Sequence, residues 1–369
     1  MNHMCRFSLL TLVALLFMVA CEETQEPDYI HTSELPEIPL EHVANFPGGD
    51  DELILDRIRE VAIDSRSRVF VADGGRPAVF VFEKGSGLLQ QIGRDGAGPG
   101  EFEGIVDMFI SPAEQLFVYD VSTNRTTEFI ETNGQWSLEN IHEAGEARQG
   151  IFQTDGENAA MFRTGGANPP EEDGPHWFIN EISAGNLEME MRDEKLELKD
   201  QPSLAYQNRL LSLPTLRTDA YARGRDGSLY MMWNDRFEVA KYNTRLELID
   251  SVSAPVPNQP YPEDERDEFL NEMEGGERSF ARDHLDETLP VINWDFSLGQ
   301  GWEVNQDGNH WLRTYDDPEY LVLDPDGSPV GSFDLPEDFL LKTVNSDHIV
   351  ALGYSKEGDY QIRMWSYDL

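Results

Sequence analysis

Short runs of alternating apolar and polar residues, separated by turn residues, fill the chain from about residue 40 to its last residue. This pattern is typical of β-strands joined by tight turns. Residues 261–290 differ, because Pro262 and three acids begin a helix-like stretch. In that stretch Phe269, Leu270 and Met273 would share one face of a helix. The pattern predicts an all-β chain with one helical insertion, which either covers a site as a lid or only packs against the sheets.

An internal repeat is visible in the spacing of the strands. Val69–Asp73 matches Leu116–Asp120 at an offset of 47 residues, and an aromatic residue, Phe82 or Phe129, follows nine residues after each aspartate. The nine-residue spacing recurs between Trp233 and Tyr242 and between Thr314 and Leu323. A unit of roughly 45 residues with about four strands is the period of propeller blades.

The repeat predicts a six-bladed β-propeller over residues 40–369, with four-stranded antiparallel blades. The sixth blade has only three good strands before the chain ends, so we expect the segment Pro39–Phe46 to supply its fourth strand and close the ring. The predicted blades are Val61–Gln91, Val106–Ile141, Gly150–Ile182, Tyr221–Val252, Val304–Leu335 and Leu340–Leu369.

A glycine-rich stretch, GRDGAGPGEF at Gly93–Phe102, joins the first two predicted blades. A phosphate-binding loop would need a Gly-Lys-Ser/Thr ending and a following helix. This stretch has no lysine, carries Pro99 and leads into a strand. We therefore interpret its glycines as supplying positive φ for a tight corner between sheets.

The residues GRDGAGPGEFEGIVDMFISPAEQLFVYD resemble an NHL-type repeat, and NHWLRTYDDPEYLVLDPDGSPVG resembles the last blades of TolB-like six-bladed propellers. The resemblance covers about residues 40–369. It implies an exported or lipoprotein-anchored protein. The six-bladed relatives in this group include lactonases and lyases, and these enzymes place metal ions or catalytic groups in the central channel.

The first residues predict export. A positive residue, Arg6, precedes the apolar run Phe7–Ala20, which is too short to span a bilayer and fits a secretory signal peptide over residues 1–20. The sequence Met18-Val19-Ala20-Cys21 resembles a bacterial lipobox, which implies acylation of Cys21. Glu22 follows, so the resemblance favours the outer membrane. Residues 21–39 are acidic and contain proline, and they predict a flexible tether.

Charge excludes one class of partner. The chain has 70 acidic and 28 basic residues, a net charge of −42, with 39% hydrophobic residues. Nucleic acid demands a basic footprint, so we exclude it. The acids are scattered, which favours a solvated surface over a site that captures cations.

Candidate chemistry is sparse. His310 and His348 begin corresponding strands of two neighbouring predicted blades and are weak candidates for metal ligands, and we favour a surface or packing role for both. No nucleophile elbow is present. We expect a monomeric binding or scaffold module without a cofactor, whose partner is an envelope protein, a peptide or a saccharide. The alternative is a lactonase-like or lyase-like enzyme with calcium or zinc in the channel.

Replacing Cys21 tests the anchor. In Cys21→Ser we expect loss of labelled fatty acid and a shift from the membrane fraction to the soluble fraction, because each buried CH₂ contributes roughly 0.8 kcal/mol to membrane binding. Cys5→Ser, which changes the other cysteine of the chain, serves as the matched control. Equal labelling and fractionation of the two variants would contradict lipidation at Cys21.

Overall fold

The computed structural model describes residues 28–47, 53–144, 149–163, 172–293, 301–355 and 358–369. In these residues the strands form six antiparallel sheets, five with four strands and one with five. The first strands of neighbouring sheets contact one another around a common centre. This arrangement confirms the predicted six-bladed β-propeller. No helix in the described ranges is both long and apolar enough to cross a bilayer.

The strands of the chain, in order, are β1 (Glu41–Phe46), β2 (Ile58–Ile63), β3 (Val69–Asp73), β4 (Ala78–Glu83), β5 (Gly87–Ile92), β6 (Ile105–Ile110), β7 (Leu116–Asp120), β8 (Arg125–Thr132), β9 (Gln135–Glu143), β10 (Gly150–Thr154), β11 (Asn158–Arg163), β12 (Gly174–Asn186), β13 (Met191–Tyr206), β14 (Arg209–Leu211), β15 (Asp219–Arg223), β16 (Leu229–Trp233), β17 (Glu238–Tyr242), β18 (Leu248–Ser253), β19 (Trp302–Val304), β20 (His310–Arg313), β21 (Tyr320–Leu323), β22 (Pro329–Phe333), β23 (Phe339–Val344), β24 (His348–Tyr354) and β25 (Tyr360–Ser366). Blades 1 to 5 are β2–β5, β6–β9, β10–β14, β15–β18 and β19–β22. Blade 6 is β23–β25 with β1 at its outer edge.

Strand β1 closes the ring, as predicted. It pairs antiparallel with β25, the last strand, from Glu41 opposite Ser366 to Phe46 opposite Ile362. The Phe46 side chain is buried and its ring lies 5.5 Å from that of Phe82 in blade 1. The two ends of the described chain therefore meet in one sheet, whose core continues into the first blade.

The repeated aspartates hold each corner of the first two blades. The buried Asp73 carboxylate accepts hydrogen bonds of 2.8–3.3 Å from four backbone N–H groups, those of Asp56, Arg57, Gly75 and Arg76. The Asp120 carboxylate accepts four at 2.6–3.2 Å, from Glu103, Gly104, Ser122 and Thr123. Each carboxylate thus binds the segment entering its blade to the turn after the second strand, and satisfies otherwise unpaired amides.

The glycine-rich stretch is a corner between blades, as predicted. Gly93, Gly96 and Gly100 all have positive φ. A Cβ atom at Gly93 would lie 2.4 Å from the Phe102 ring, so only glycine fits there. The Arg125 guanidinium closes the loop by donating to the carbonyl oxygens of Ala97, Gly98 and Glu101 at 2.6–2.9 Å.

Blade 3 departs from the prediction of four strands ending at Ile182. It has five strands and extends to Leu211, because β12 and β13 form a long hairpin paired over most of its length. The segment from Met191 to Asp200 is dense in charge, which hid its strand character. Only alternate residues such as Leu198 turn into the core.

The helical insertion is confirmed as α1 (Glu263–Asn271) and α2 (Gly275–His284). Leu270 and Ala281 are buried in a cluster with Leu204 and Leu213, which Phe269 and Met273 join as predicted. The Tyr206 and Phe280 rings stack at 4.8 Å. Of the two roles left open by the sequence, these contacts support packing, against the end of the blade 3 hairpin.

The segment before β1 is bound to the propeller where it is described. The Ile30 N–H donates to the Pro255 carbonyl at 2.9 Å, beyond the outer strand of blade 4. Ser332, in the outer strand of blade 5, donates from its hydroxyl to the Thr32 carbonyl at 2.9 Å. The Ile38 N–H donates to the Ser332 carbonyl at 2.8 Å. The part of the predicted tether free of such bonds is therefore shorter than residues 21–39.

Truncating Phe46 tests ring closure. We expect Phe46→Ala to lower the free energy of unfolding by about 3–5 kcal/mol, because it leaves a cavity between blade 6 and blade 1. Chemical denaturation measures the change. Glu41→Ala, at the exposed end of the same strand, is the control, and an equally small loss in both variants would show that β1 adds little to closure.

Candidate functional site

The central channel carries ionisable side chains on the innermost strands. Glu60 lies on β2, Asp107 on β6, Arg223 on β15, Glu303 on β19 and Lys342 on β23. Tyr221 also lies on β15, and Arg225 follows that strand. All are partly exposed, although their strands are the innermost of their blades. Electrostatic interactions connect each of them with at least one other, which places them in one cluster.

Arg223 connects three blades at this cluster. Its guanidinium forms an ion pair with the Asp107 carboxylate of blade 2, and its Nε donates to the Phe152 carbonyl of blade 3 at 2.8 Å. The guanidinium carbon lies 4.1 Å from the centre of the Phe152 ring. Burial opposes the positive charge, but Asp107 and Glu60 outweigh it and raise the Arg223 pKa. Arg223 is therefore a fixed cation.

Arg225 reaches from blade 4 to blade 6. Its Nη2 donates to the Thr343 hydroxyl at 3.0 Å, although blade 5 lies between the two blades along the chain. Burial lowers the pKa of Arg225, and Glu303 is the first of the acids that oppose this change. The guanidinium is thus held between blade 4 and blade 6, and some of its N–H groups donate in none of the contacts described.

Glu303 is the most perturbed acid of the channel. Burial, followed by repulsion from Glu60, raises its pKa to about 8, although Arg225, Arg223 and Lys342 act in the opposite direction. Burial also raises the pKa of Glu60, whose Oε1 accepts a hydrogen bond from the Val61 N–H at 3.0 Å. At neutral pH the Glu303 carboxyl therefore keeps its proton and can donate as well as accept a hydrogen bond.

An aromatic wall borders the charges. The Tyr221 ring lies 5.6 Å from Phe152, edge to face, and 5.8 Å from Phe162. Burial raises the pKa of the Tyr221 hydroxyl, so that it stays protonated. The cluster as a whole contains three carboxyl groups (Glu60, Asp107, Glu303) and three cations (Arg223, Arg225, Lys342) around one channel. Such a site can bind groups of either charge.

The histidines singled out from the sequence lie elsewhere. His310 is 1% exposed and packs among Tyr230, Phe237 and Trp302 between blades 4 and 5. His348 is half-buried, with its Nδ1 3.0 Å from the Ser67 hydroxyl. The two share no contact among those described. Within the described ranges no group of three or more His, Cys, Asp or Glu side chains could hold a metal ion. Cys21 lies outside the described residues.

The sequence contained one signal for the channel that the strand pattern alone did not reveal. The repeat offset of 47 residues places Glu60 on Asp107, so both copies carry an acid at the same position of the innermost strand. The predicted first blade began one residue later, at Val61, and left Glu60 out. The cations come from other blades, where the repeat is weaker.

A family model described as a 6-bladed beta-propeller, DUF5128, matches residues 49–197. These residues contain blades 1 and 2 and most of blade 3. The chain folds as the family does. No curated protein matches the sequence. The match extends over less than half of the chain, and its description concerns the fold.

Solved structures give distant likenesses. A Bacteroides fragilis protein whose name describes it as exported is 11% identical, with 91% of this chain and 96% of that one covered and a TM-score of 0.49. A member of the DUF4221 family from Bacteroides vulgatus is 9% identical, with coverage of 90% and 98% and a TM-score of 0.49. A gluconolactonase from Xanthomonas campestris is 13% identical, with coverage of 90% and 99% and a TM-score of 0.39. Values this low say nothing about activity.

The channel predicts a pH dependence of stability. Between about pH 4.5 and 8 the unfolded chain loses the Glu303 proton while the folded chain keeps it, so stability falls as pH rises through this window. We expect Glu303→Gln to remove this loss, so that its melting temperature rises relative to the wild type from pH 5 to pH 8. Thermal unfolding across this range measures it.

Glu139→Gln is the control, because Glu139 is exposed on β9. A melting-temperature difference between Glu303→Gln and the wild type that stays constant from pH 5 to pH 8 would show that Glu303 ionises normally in the folded protein.

Proposed function

We propose that this protein is exported, is anchored in the cell envelope by lipid on Cys21 and acts there as a binding module whose recognition site is the central channel. The signal-like run Phe7–Ala20 and the lipobox-like residues up to Cys21 support export and lipid anchoring, and the outer membrane is the favoured location. The net charge of −42 argues against nucleic acid as a partner.

The channel cluster carries the proposal. Three carboxyl groups and three cations converge from blades 1, 2, 4, 5 and 6, and burial perturbs the ionisation of Glu60, Glu303 and Arg225. Charges are costly to bury unless they are paired, and perturbed groups of this kind cluster at functional sites. A ligand that brings complementary charges would offset part of that cost.

Among an envelope protein, a peptide and a saccharide, the mixed charges favour a peptide. A peptide with free ends carries an ammonium, which matches the Glu60 carboxyl, and a carboxylate, which matches the cations (Arg225, Lys342) of the same channel. The partly exposed Tyr221 ring suits an apolar side chain between the two ends of the peptide. A narrow chain end also fits a channel between innermost strands better than a flat protein surface does.

A metal-dependent lactonase-like or lyase-like activity is the second candidate. Calcium or zinc would need several oxygen or nitrogen ligands around one point. The described channel residues do not provide such a group, because Asp107 is paired with Arg223 and Glu303 holds its proton. We assign no catalytic step to a metal.

A random tetrapeptide library with free ends tests the proposal. We expect the full chain, purified in detergent, to retain a subset of the peptides in equilibrium dialysis read by mass spectrometry. Retention should fall about tenfold or more in Arg225→Gln, because a charge-assisted hydrogen bond is lost. Glu139→Gln should retain the same peptides as the wild type.

A second library, acetylated at one end and amidated at the other, removes both terminal charges. We expect little retention of these peptides. Equal retention of blocked and free peptides, or retention unchanged in Arg225→Gln, would contradict recognition in the channel.

A further inference from the structure

A second cavity lies between blades 4 and 5, away from the channel. It has a volume of about 160 Å³. Blade 4 contributes residues of its second to fourth strands and blade 5 contributes the turn before β20 and the start of that strand. The lining residues used below are Asp226, Tyr230, Lys241, Asp250, Asp307 and His310.

His310 supplies an N–H donor for which no described residue is the acceptor. Its Nδ1 accepts a hydrogen bond from the Trp302 indole N–H at 3.3 Å. Burial lowers the pKa of His310 to about 4, so the ring is neutral at neutral pH. A neutral ring that accepts at Nδ1 carries its proton on Nε2. No described residue accepts that proton, and because His310 lines the cavity, an acceptor bound there could receive it.

The charged residues of the lining are three aspartates and one lysine. Asp226 is paired with the Lys241 ammonium at 2.8 Å, and that ammonium lies 5.2 Å from the centre of the Tyr230 ring. Asp250 and Asp307 also line the cavity, and neither forms an ion pair with a described cation. The cavity thus presents two exposed carboxylates that form no ion pair with a described cation, and the His310 N–H, which has no acceptor among the described residues.

Charge and hydrogen bonding together limit the chemical class of ligand that the cavity can bind. An anion would accept from His310 but would be repelled by Asp250 and Asp307. A small ammonium ion would pair with the carboxylates but, having only donors, would leave the His310 N–H unpaired. A hydroxyl group both accepts and donates, so it satisfies His310 and the carboxylates at once.

We propose that this cavity binds a neutral polyhydroxy compound of the size of one sugar ring. The Tyr230 ring supplies an apolar wall, and the few polar groups placed around it are the usual means of orienting a small ligand. The site is independent of the channel, because its lining shares no residue with the channel cluster.

The proposal is tested by titrating the full chain with D-glucose and D-galactose and detecting binding by ligand-observed NMR. Methylammonium and acetate are the charged probes. We expect at least one sugar to bind, and its affinity to fall about tenfold in Asp307→Asn, because a hydrogen bond to a charged acceptor is weakened. Glu303→Gln, in the channel, should leave sugar binding unchanged.

The chain offers a matched control for Asp307. Asp307 lies in the turn Asn305–Asn309 and Asp326 in the turn Asp324–Ser328, where each aspartate N–H donates to the side chain two residues earlier at 3.0 and 2.9 Å. The glycine that follows has a φ of 84° in both turns. Asp326 is not part of the lining, so Asp326→Asn should bind sugar as the wild type does.

His310→Phe removes the donor and keeps an aromatic ring. We expect it to abolish sugar binding in a chain that still unfolds cooperatively; should it fail to fold, the comparison of Asp307→Asn with Asp326→Asn decides alone. A cavity that holds only water, with no sugar bound, would overturn the proposal. So would binding of methylammonium or acetate in place of sugar, or equal sugar affinity in the two aspartate variants.

Discussion

The pairing of β1 with β25 is the interaction on which the rest of the molecule depends. Each blade buries its faces only against its two neighbours, so an open ring would leave blade 6 and blade 1 each with one uncovered face. The pairing joins the two ends of the chain in one sheet and places Phe46 against Phe82. Ring closure also creates the channel.

Closure has a direct effect on the channel chemistry. The groups that surround Glu303 come from blades 1, 4 and 6, and Arg225 of blade 4 is fixed by Thr343 of blade 6. Apart from Arg223 with Arg225, and Lys342 with Thr343, these residues are far from one another in sequence. The perturbed ionisation of Glu303 is therefore a property of the assembled ring, and no single blade would reproduce it.

The fold could be predicted because its signals are local in sequence. The Asp73 and Asp120 carboxylates each bind four nearby backbone amides, and the glycines of the corner at Gly93–Phe102 are required by backbone conformation. The same locality explains the miss in blade 3. A strand dense in charge, such as the first part of β13, is held by pairing with β12, and its composition alone does not indicate a strand.

The candidate sites were much less predictable, because they depend on distance in space. The position of His310 at the start of a strand gave no indication that Trp302 would occupy one ring nitrogen and leave the other facing a cavity. The cations of the channel lie in blades where the repeat is weak. Only Glu60 and Asp107 preserve the spacing of 47 residues that relates blades 1 and 2.

The attachment of residues 30–38 to the outer strands of blades 4 and 5 limits how far the protein can stand from its anchor. With lipid on Cys21, as proposed, Ile30, whose N–H is bound at Pro255, follows the acylated residue by nine positions, with eight residues between them. A fully extended segment of that length spans at most about 30 Å. The segment between the anchor and the propeller is therefore short, and the outer edge of blades 4 and 5 would stay close to the bilayer, within reach of molecules at its surface.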